Sequence, residues 1–115
     1  MTQPQIITAT AYSKNRRLAV GQNSYTRSHP YQRQLAVKAG EPAKIYLHAE
    51  LACLLKCLRL RQQVQLLQIE RYGVNGNMLL AKPCIICQMA ISEAGVRQVR
   101  YTSPDGWITE DVYDW

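Results

Sequence analysis

Two short motifs that lie far apart in the chain constrain its fold more than any other feature. The first is His-x-Glu, at His48 and Glu50, and the second is Pro-Cys-x-x-Cys, at Pro83, Cys84 and Cys87. One imidazole and two thiolates are ligands that zinc accepts, and three protein ligands leave a fourth tetrahedral position open for water. If both motifs serve one metal ion, the fold must bring them together, and the open position is typical of catalytic zinc.

Each motif by itself has a more ordinary explanation. His48 alone would be read as a surface histidine, and Cys84 with Cys87 as a redox pair or half of a four-cysteine zinc knuckle. The sequence contains no second Cys-x-x-Cys that would complete a knuckle. Cys53 and Cys57 fall within a helical pattern, and free cysteine is among the most often buried residues, so we expect both in the core. The two motifs together favour a single zinc site.

The combination resembles the signature of the cytidine deaminase superfamily, and more loosely its small phage and bacterial members. The resemblance implies that His48, Cys84 and Cys87 bind one Zn²⁺ and that Glu50 is the catalytic acid and base. It implies attack of an activated water at C4 of a cytosine ring, proton transfer to N3 and loss of ammonia. Zinc makes such attack feasible at neutral pH because it lowers the pKa of bound water from about 15.7 toward 7.

Four further residues are candidate substrate contacts. By resemblance, the backbone amide of Ala49 and the backbone carbonyl of Lys82 contact the base edge, and Asn23 binds the sugar. A turn residue is the alternative interpretation of Asn23. His29 could cover the pocket and meet the base or a phosphate, although an exposed loop histidine is the simpler interpretation.

Length and charge indicate the class of protein and of partner. A chain of 115 residues predicts one zinc-dependent deaminase domain over 1–115, and 47% hydrophobic residues is typical of a globular protein. The net charge of +6 indicates an anionic partner such as a nucleotide phosphate or nucleic acid, or else only solubility. Arg16, Arg17 and Arg27 could form a phosphate-binding patch, although short basic runs are usually solvated.

We expect a cytoplasmic protein that does not enter the membrane. No apolar run reaches the length of a membrane span, and the polar start of the chain does not resemble a signal peptide. Of the four cysteines, two are assigned to the metal, which favours a reducing compartment over a disulfide framework.

The pattern of apolar residues predicts alternating strands and helices. Strands are predicted at 5–13, 17–23, 64–72, 96–102 and 107–112, and the strand at 64–72 is expected at the centre of the sheet. Helices are predicted at 31–39, from 48 onward and from Pro83 to Gly95. In the second helix one face, formed by Leu51, Leu54, Leu55 and Leu58, is expected to be buried.

This order of elements matches the α/β fold of the superfamily. That fold is a three-layer α/β/α sandwich with a five-stranded mixed sheet and both motif helices on one face. The chain departs from it in two ways, because a leading helix is missing and the segment 31–39 is inserted before the first motif. Only 103–106 separate the last two strands, and a parallel crossover needs about a dozen residues, so these strands are predicted to be antiparallel.

The resemblance to the superfamily implies that the predicted final hairpin favours a small free substrate, because its free-nucleoside branch has such a hairpin. By resemblance, a cytosine nucleoside or nucleotide such as cytidine or deoxycytidylate is the first choice. One alternative is a deaminase that edits cytosine or adenine in single-stranded DNA or RNA, and another is a non-enzymatic structural zinc protein. The resemblance also implies a homo-oligomer, either a dimer or a tetramer.

Overall fold

A five-stranded mixed sheet forms the centre of this computed structural model, which describes residues 6–115. Its strands are β1 (Ile7–Ser13), β2 (Arg16–Gln22), β3 (Leu66–Arg71), β4 (Gln98–Ser103) and β5 (Gly106–Asp111). They lie in the spatial order β2-β1-β3-β4-β5, with β3 central as predicted. Only β3 and β4 are parallel, and β4 and β5 form an antiparallel hairpin. The predicted α/β fold with antiparallel last strands is confirmed; Gln5 lies outside the described residues.

Three helices complete the fold: α1 (Pro30–Lys38), α2 (Ala49–Leu60) and α3 (Ile85–Glu93). The segment predicted as an inserted helix is α1. The expectation that Pro83 lies inside the third helix is wrong, because Cys84 keeps an extended backbone (ψ 172°) as the N-cap of α3. Pro83 instead precedes the cap, and its carbonyl accepts a hydrogen bond of 2.9 Å from Gln88 Nε2.

The core lies between the sheet and α2 and α3. Successive side chains of a strand point to opposite faces, and on the helix-facing side Ala9, Ala11, Leu67, Ile69 and Val99 are fully buried. Gly21 of β2 lies directly below α2, since a Cβ atom there would be 2.7 Å from the carbonyl oxygen of Ala49. The small residues of β1 and β2 therefore let α2 approach the sheet closely.

The predicted buried face of α2 is only partly correct. Leu51 and Leu54 are buried, but the side chain of Leu58 is 73% exposed. Burial near the end of the helix is centred on Cys53 and Cys57, and an α-helix turns about 100° per residue, so Leu58 faces away from that centre. The expectation that both cysteines belong to the core is correct.

A tight turn returns the chain from β3 to the second motif. Gly76 has a positive φ of 79°, and Tyr72 forms a bridge with Met78, as expected for the predicted Asn-Gly turn. Backbone hydrogen bonds of 2.9 Å then join Leu79 to Arg71 and Ala81 to Thr102. None of the helices within residues 6–115 is long and apolar enough to cross a bilayer.

Candidate active site

The beginnings of α2 and α3 bring three metal-binding side chains together. His48 is the N-cap of α2, Cys84 is the N-cap of α3, and Cys87 lies in the first turn of α3. The Nδ1 atom of His48 is 3.2 Å from Sγ of Cys87 and 3.5 Å from Sγ of Cys84. All three donor atoms lie within 4.8 Å of one another, so the two distant motifs meet as the sequence predicted.

The donor set fits zinc in both chemistry and spacing. Zinc–nitrogen and zinc–sulfur bonds of about 2.0 and 2.3 Å place tetrahedral N and S ligands about 3.5 Å apart. The two nitrogen–sulfur distances in the site agree with this value within a few tenths of an ångström. One nitrogen and two sulfur donors form a plausible zinc site, and among residues 6–115 they are the one such group of three.

The hydrogen bond between the two cysteine side chains shifts their pKa values in opposite directions. A hydrogen bond from Cys87 lowers the pKa of Cys84 to about 3, and the same bond raises the pKa of Cys87 well above its usual value. These opposite shifts describe one Cys84 thiolate that accepts a hydrogen bond from a Cys87 thiol. A hydrogen bond with Cys84 also raises the pKa of His48. Zinc must therefore displace the Cys87 proton when both sulfurs bind it.

A buried glutamine of α1 holds the first motif in place. Gln32 is fully buried, and its Oε1 accepts a hydrogen bond of 3.3 Å from the backbone amide of His48. Its Nε2 donates to the carbonyl of Lys44, also at 3.3 Å. The inserted helix thus fixes the loop that leads into α2, a role that the sequence did not indicate because a glutamine on a helix is usually exposed.

Glu50 lies in the first turn of α2 with only 6% of its surface exposed. Burial raises the pKa of its carboxyl group above the usual range. A raised pKa suits a group that must both accept and donate a proton near neutral pH. The carboxyl group is close to Cys87 as well, since a hydrogen bond between the two contributes to the shifts in both pKa values.

A cleft of about 460 Å³ opens above these residues. Its walls come from the ends of β2 and β3, the loop before α2 and the loop before α3. Lys44, Arg71 and Lys82 line it, and Glu50 is its one acidic residue among the described positions. A larger hollow of about 770 Å³ lies at the other edge of the sheet, beside Lys14 and Arg97, but none of the three metal-binding side chains lines it.

The structure places three of the four candidate substrate contacts in the cleft. Asn23, Ala49 and Lys82 line it. Asn23 also closes the end of the β1–β2 hairpin, because its Oδ1 accepts a hydrogen bond of 2.8 Å from the amide of Ile7. His29 is outside the cleft lining and is the N-cap of α1, where its Nδ1 accepts a hydrogen bond of 3.0 Å from the amide of Tyr31.

The cationic residues of the cleft are different from those the sequence suggested. Arg16 and Arg17 begin β2 next to the Lys14 turn, at the edge of the sheet away from Asn23. Arg71 was missed, although it lies near the end of the central strand predicted at 64–72 and is the last residue of β3. The carboxyl ends of parallel strands are where α/β proteins bind ligands, so its position was the available signal.

Comparisons with known proteins agree with this geometry. Residues 3–103 match the sequence profile of the cytidine and deoxycytidylate deaminase zinc-binding region. Comparison with curated proteins gives no match.

Solved structures share the fold at low sequence identity. A cytidine deaminase from Burkholderia pseudomallei superposes with a TM-score of 0.67 at 14% identity, covering 96% of this chain and 77% of the other. A cytidine deaminase from Mycobacterium leprae gives 0.57 at 18% identity, with coverages of 91% and 74%. A dCMP deaminase from cyanophage S-TIM5 gives 0.53 at 21% identity, with coverages of 83% and 64%.

Proposed function

Because the chain belongs to the cytidine and deoxycytidylate deaminase family, we propose that it is a zinc-dependent hydrolase that converts cytosine to uracil. The substrate is a free nucleoside or nucleotide, such as cytidine or deoxycytidylate. One observation carries the proposal: His48, Cys84 and Cys87 converge, and two of them, His48 and Cys84, line a ligand-sized cleft together with the buried Glu50.

Glu50 transfers the protons in the proposed reaction. Zinc held by the three donors supplies a nucleophile at neutral pH by acidifying water. The carboxylate of Glu50 accepts a proton from that water and delivers it to N3 of the cytosine ring. It then assists the departure of the C4 amine as ammonia. Burial supports this cycle, because the raised pKa brings the carboxyl group closer to the pH at which it must both take up and release a proton.

The walls of the cleft orient the base. Ala49 and Lys82 line the cleft from the two motif segments. The backbone amide of Ala49 and the backbone carbonyl of Lys82 are proposed to offer one donor and one acceptor to the base edge. Asn23 extends from the end of β2 and is proposed to contact the sugar. A structural zinc protein would not need a buried carboxylate next to the metal site, so Glu50 argues against the non-enzymatic alternative.

The proposal is tested by mass spectrometry of candidate substrates. Zinc-loaded protein is incubated separately with cytidine, deoxycytidine, deoxycytidylate and adenosine, and the exchange of NH for O is measured. We expect conversion of cytosine substrates, and conversion at least about a hundredfold slower with Glu50→Gln. A folded, zinc-loaded protein that converts no cytosine substrate would contradict the proposal.

A second candidate function is favoured by the rim of the cleft. Tyr25 and Tyr46 line it and are about half exposed. Exposed aromatic rings beside cations are typical of proteins that stack single-stranded nucleic acid. Conversion of cytosine inside an oligonucleotide, which weakens steeply as salt is raised, would support this candidate.

The remaining expectations from the sequence are proposals as well. A cytoplasmic location suits a site whose thiols must remain reduced to bind zinc. A homo-oligomer, either a dimer or a tetramer, would bury the exposed side chains of Leu58 and Leu60 of α2 in a subunit interface. Light scattering of the purified protein measures the oligomeric state directly. Limited proteolysis tests whether residues 1–115 form a single domain.

A further inference from the structure

We propose that Arg71 binds a phosphate group of the substrate, so that the preferred substrate is a nucleoside monophosphate rather than a nucleoside. Lys44 adds positive charge from the facing loop. This inference rests on the proposed function and deepens it by naming the substrate class.

The charge of the cleft favours an anionic ligand. Lys44, Arg71 and Lys82 line it, and the acidic residue Glu50 lies buried at its floor. Lys44 also pairs with Glu41 at 2.6 Å, and Lys82 lies 3.6 Å from Glu110. The guanidinium group of Arg71 reaches the carbonyl of Leu80, which lies 3.4 Å from its Nη1.

Arg71 is anchored firmly on the wall of the cleft. The hydroxyl group of Thr102, which is fully buried, accepts a hydrogen bond of 3.1 Å from the backbone amide of Arg71. The same hydroxyl donates a hydrogen bond of 2.7 Å to the carbonyl of Leu79 on the returning loop. The backbone of Arg71 is thus held by both neighbouring segments, so less order has to be gained when a ligand binds.

The position of Arg71 suits the far end of a nucleotide. Arg71 pairs with Ile7 in the β1–β3 register. The amide of Ile7 also donates a hydrogen bond to Asn23. The proposed sugar contact and Arg71 therefore lie on the same wall of the cleft. His48 and Glu50 lie at the start of α2, where the base must react. A planar guanidinium can donate two parallel hydrogen bonds to a phosphate, which makes arginine well suited to this contact.

The size of the cleft supports a mononucleotide over a polynucleotide. A volume of about 460 Å³ lies within the range that small ligands fill. A groove for single-stranded nucleic acid needs positive charge that continues along the backbone of the strand. Arg16 and Arg17 do not extend the cleft, because they lie at the other end of β2.

The experiment compares deoxycytidylate with deoxycytidine in matched variants. We expect the wild type to prefer deoxycytidylate in kcat/KM by about ten- to hundredfold, the effect of a charged hydrogen bond. Arg71→Gln should lower kcat/KM for deoxycytidylate far more than for deoxycytidine and so remove most of that preference, and Arg71→Lys should restore part of it. Arg97→Gln, an exposed arginine at the opposite edge, is the control and should keep the full preference.

Binding provides a readout that does not depend on turnover. In the zinc-loaded Glu50→Gln background, calorimetry should show tighter binding of deoxycytidylate than of deoxycytidine, and Arg71→Gln should abolish the difference. Equal kcat/KM for the two substrates in the wild type would overturn the inference, as would an equal loss for both in Arg71→Gln. Conversion of an oligonucleotide without conversion of deoxycytidylate would also overturn it. These results leave cytosine deamination standing, whereas failure to convert any cytosine substrate contradicts the proposed function itself.

Discussion

Four free cysteines form two pairs on the adjacent helices α2 and α3, and the two pairs have opposite properties. Cys84 and Cys87 lie at the start of α3, where a hydrogen bond from Cys87 lowers the pKa of Cys84 to about 3. Cys53 and Cys57 lie within α2, where burial raises the pKa of Cys53 to about 12 and also raises that of Cys57.

Position in the helix, rather than spacing along the chain, therefore decides whether a cysteine here is suited to bind a metal or to pack in the core. A helix N-terminus carries partial positive charge and unpaired amide groups, which stabilise a thiolate. Within α2, burial disfavours the charged form of a thiol, and Cys53 Sγ lies 3.5 Å from the carbonyl oxygen of Ala19. The first pair is therefore suited to a metal and the second to packing.

The largest effect is expected when one thiol is removed from each pair, which tests whether only Cys84 and Cys87 bind the metal. Cys84→Ser and Cys87→Ser should each lose nearly all of the zinc and the activity, because the remaining two donors cannot hold the ion. Cys57→Ala should retain about one equivalent of zinc per chain. Metal analysis of the purified proteins makes the measurement. Zinc retained by either serine variant but lost from Cys57→Ala would reverse the assignment.

The second prediction separates proton transfer from metal binding within α2, the helix that also carries Cys53. Glu50→Gln should lower kcat by about 10²–10⁴, because the amide cannot accept and return a proton. Zinc content should stay at the wild-type level, since Glu50 is not one of the three converging donors. Steady-state kinetics with metal analysis tests both statements. An active variant would show that another group moves the proton.

The third prediction compares the rates at which one cysteine of each pair reacts with an alkylating reagent. In metal-free protein at pH 7, Cys84 is above its pKa of about 3 and is a thiolate, whereas Cys53 is far below its pKa of about 12 and is a thiol. Iodoacetamide should label Cys84 at least about a hundredfold faster than Cys53. Peptide mass spectrometry over time measures the two rates. Zinc should protect Cys84, and equal labelling of both residues in folded protein would contradict the assignment.

The smallest effect is expected for a substitution in β2, where the sheet packs against α2, the helix that carries Cys53 and Cys57. Gly21→Ala would place a methyl group against the carbonyl of Ala49 and the backbone amide of Cys53, where space is insufficient. We expect the free energy of unfolding to fall by about 1–3 kcal/mol while zinc binding persists. Gln22→Ala, at an exposed position on the same strand, should change it by less than about 0.5 kcal/mol. Denaturant titration compares the two, and equal stabilities would show that α2 can move away from the sheet.

Several features of the fold were determined by the sequence alone. The ligand chemistry of His48, Cys84 and Cys87 required their segments to meet, whatever the path between them. The four residues between β4 and β5 are too few for a parallel crossover, so the final hairpin followed from chain length. These predictions succeeded because each depends on covalent spacing or on the chemistry of a few side chains.

Tertiary structure decided the remaining features, because these depend on which segments become neighbours. Leu58 fits the apolar period of α2 but is exposed, since the sheet covers only the side of the helix centred on Cys57. Arg71 lines the cleft because the strand order places the end of β3 beside β1. Gln32 supports His48 only through the way α1 folds against the loop before α2. No local pattern encodes such contacts, because their partners lie on segments that only the folded chain brings together.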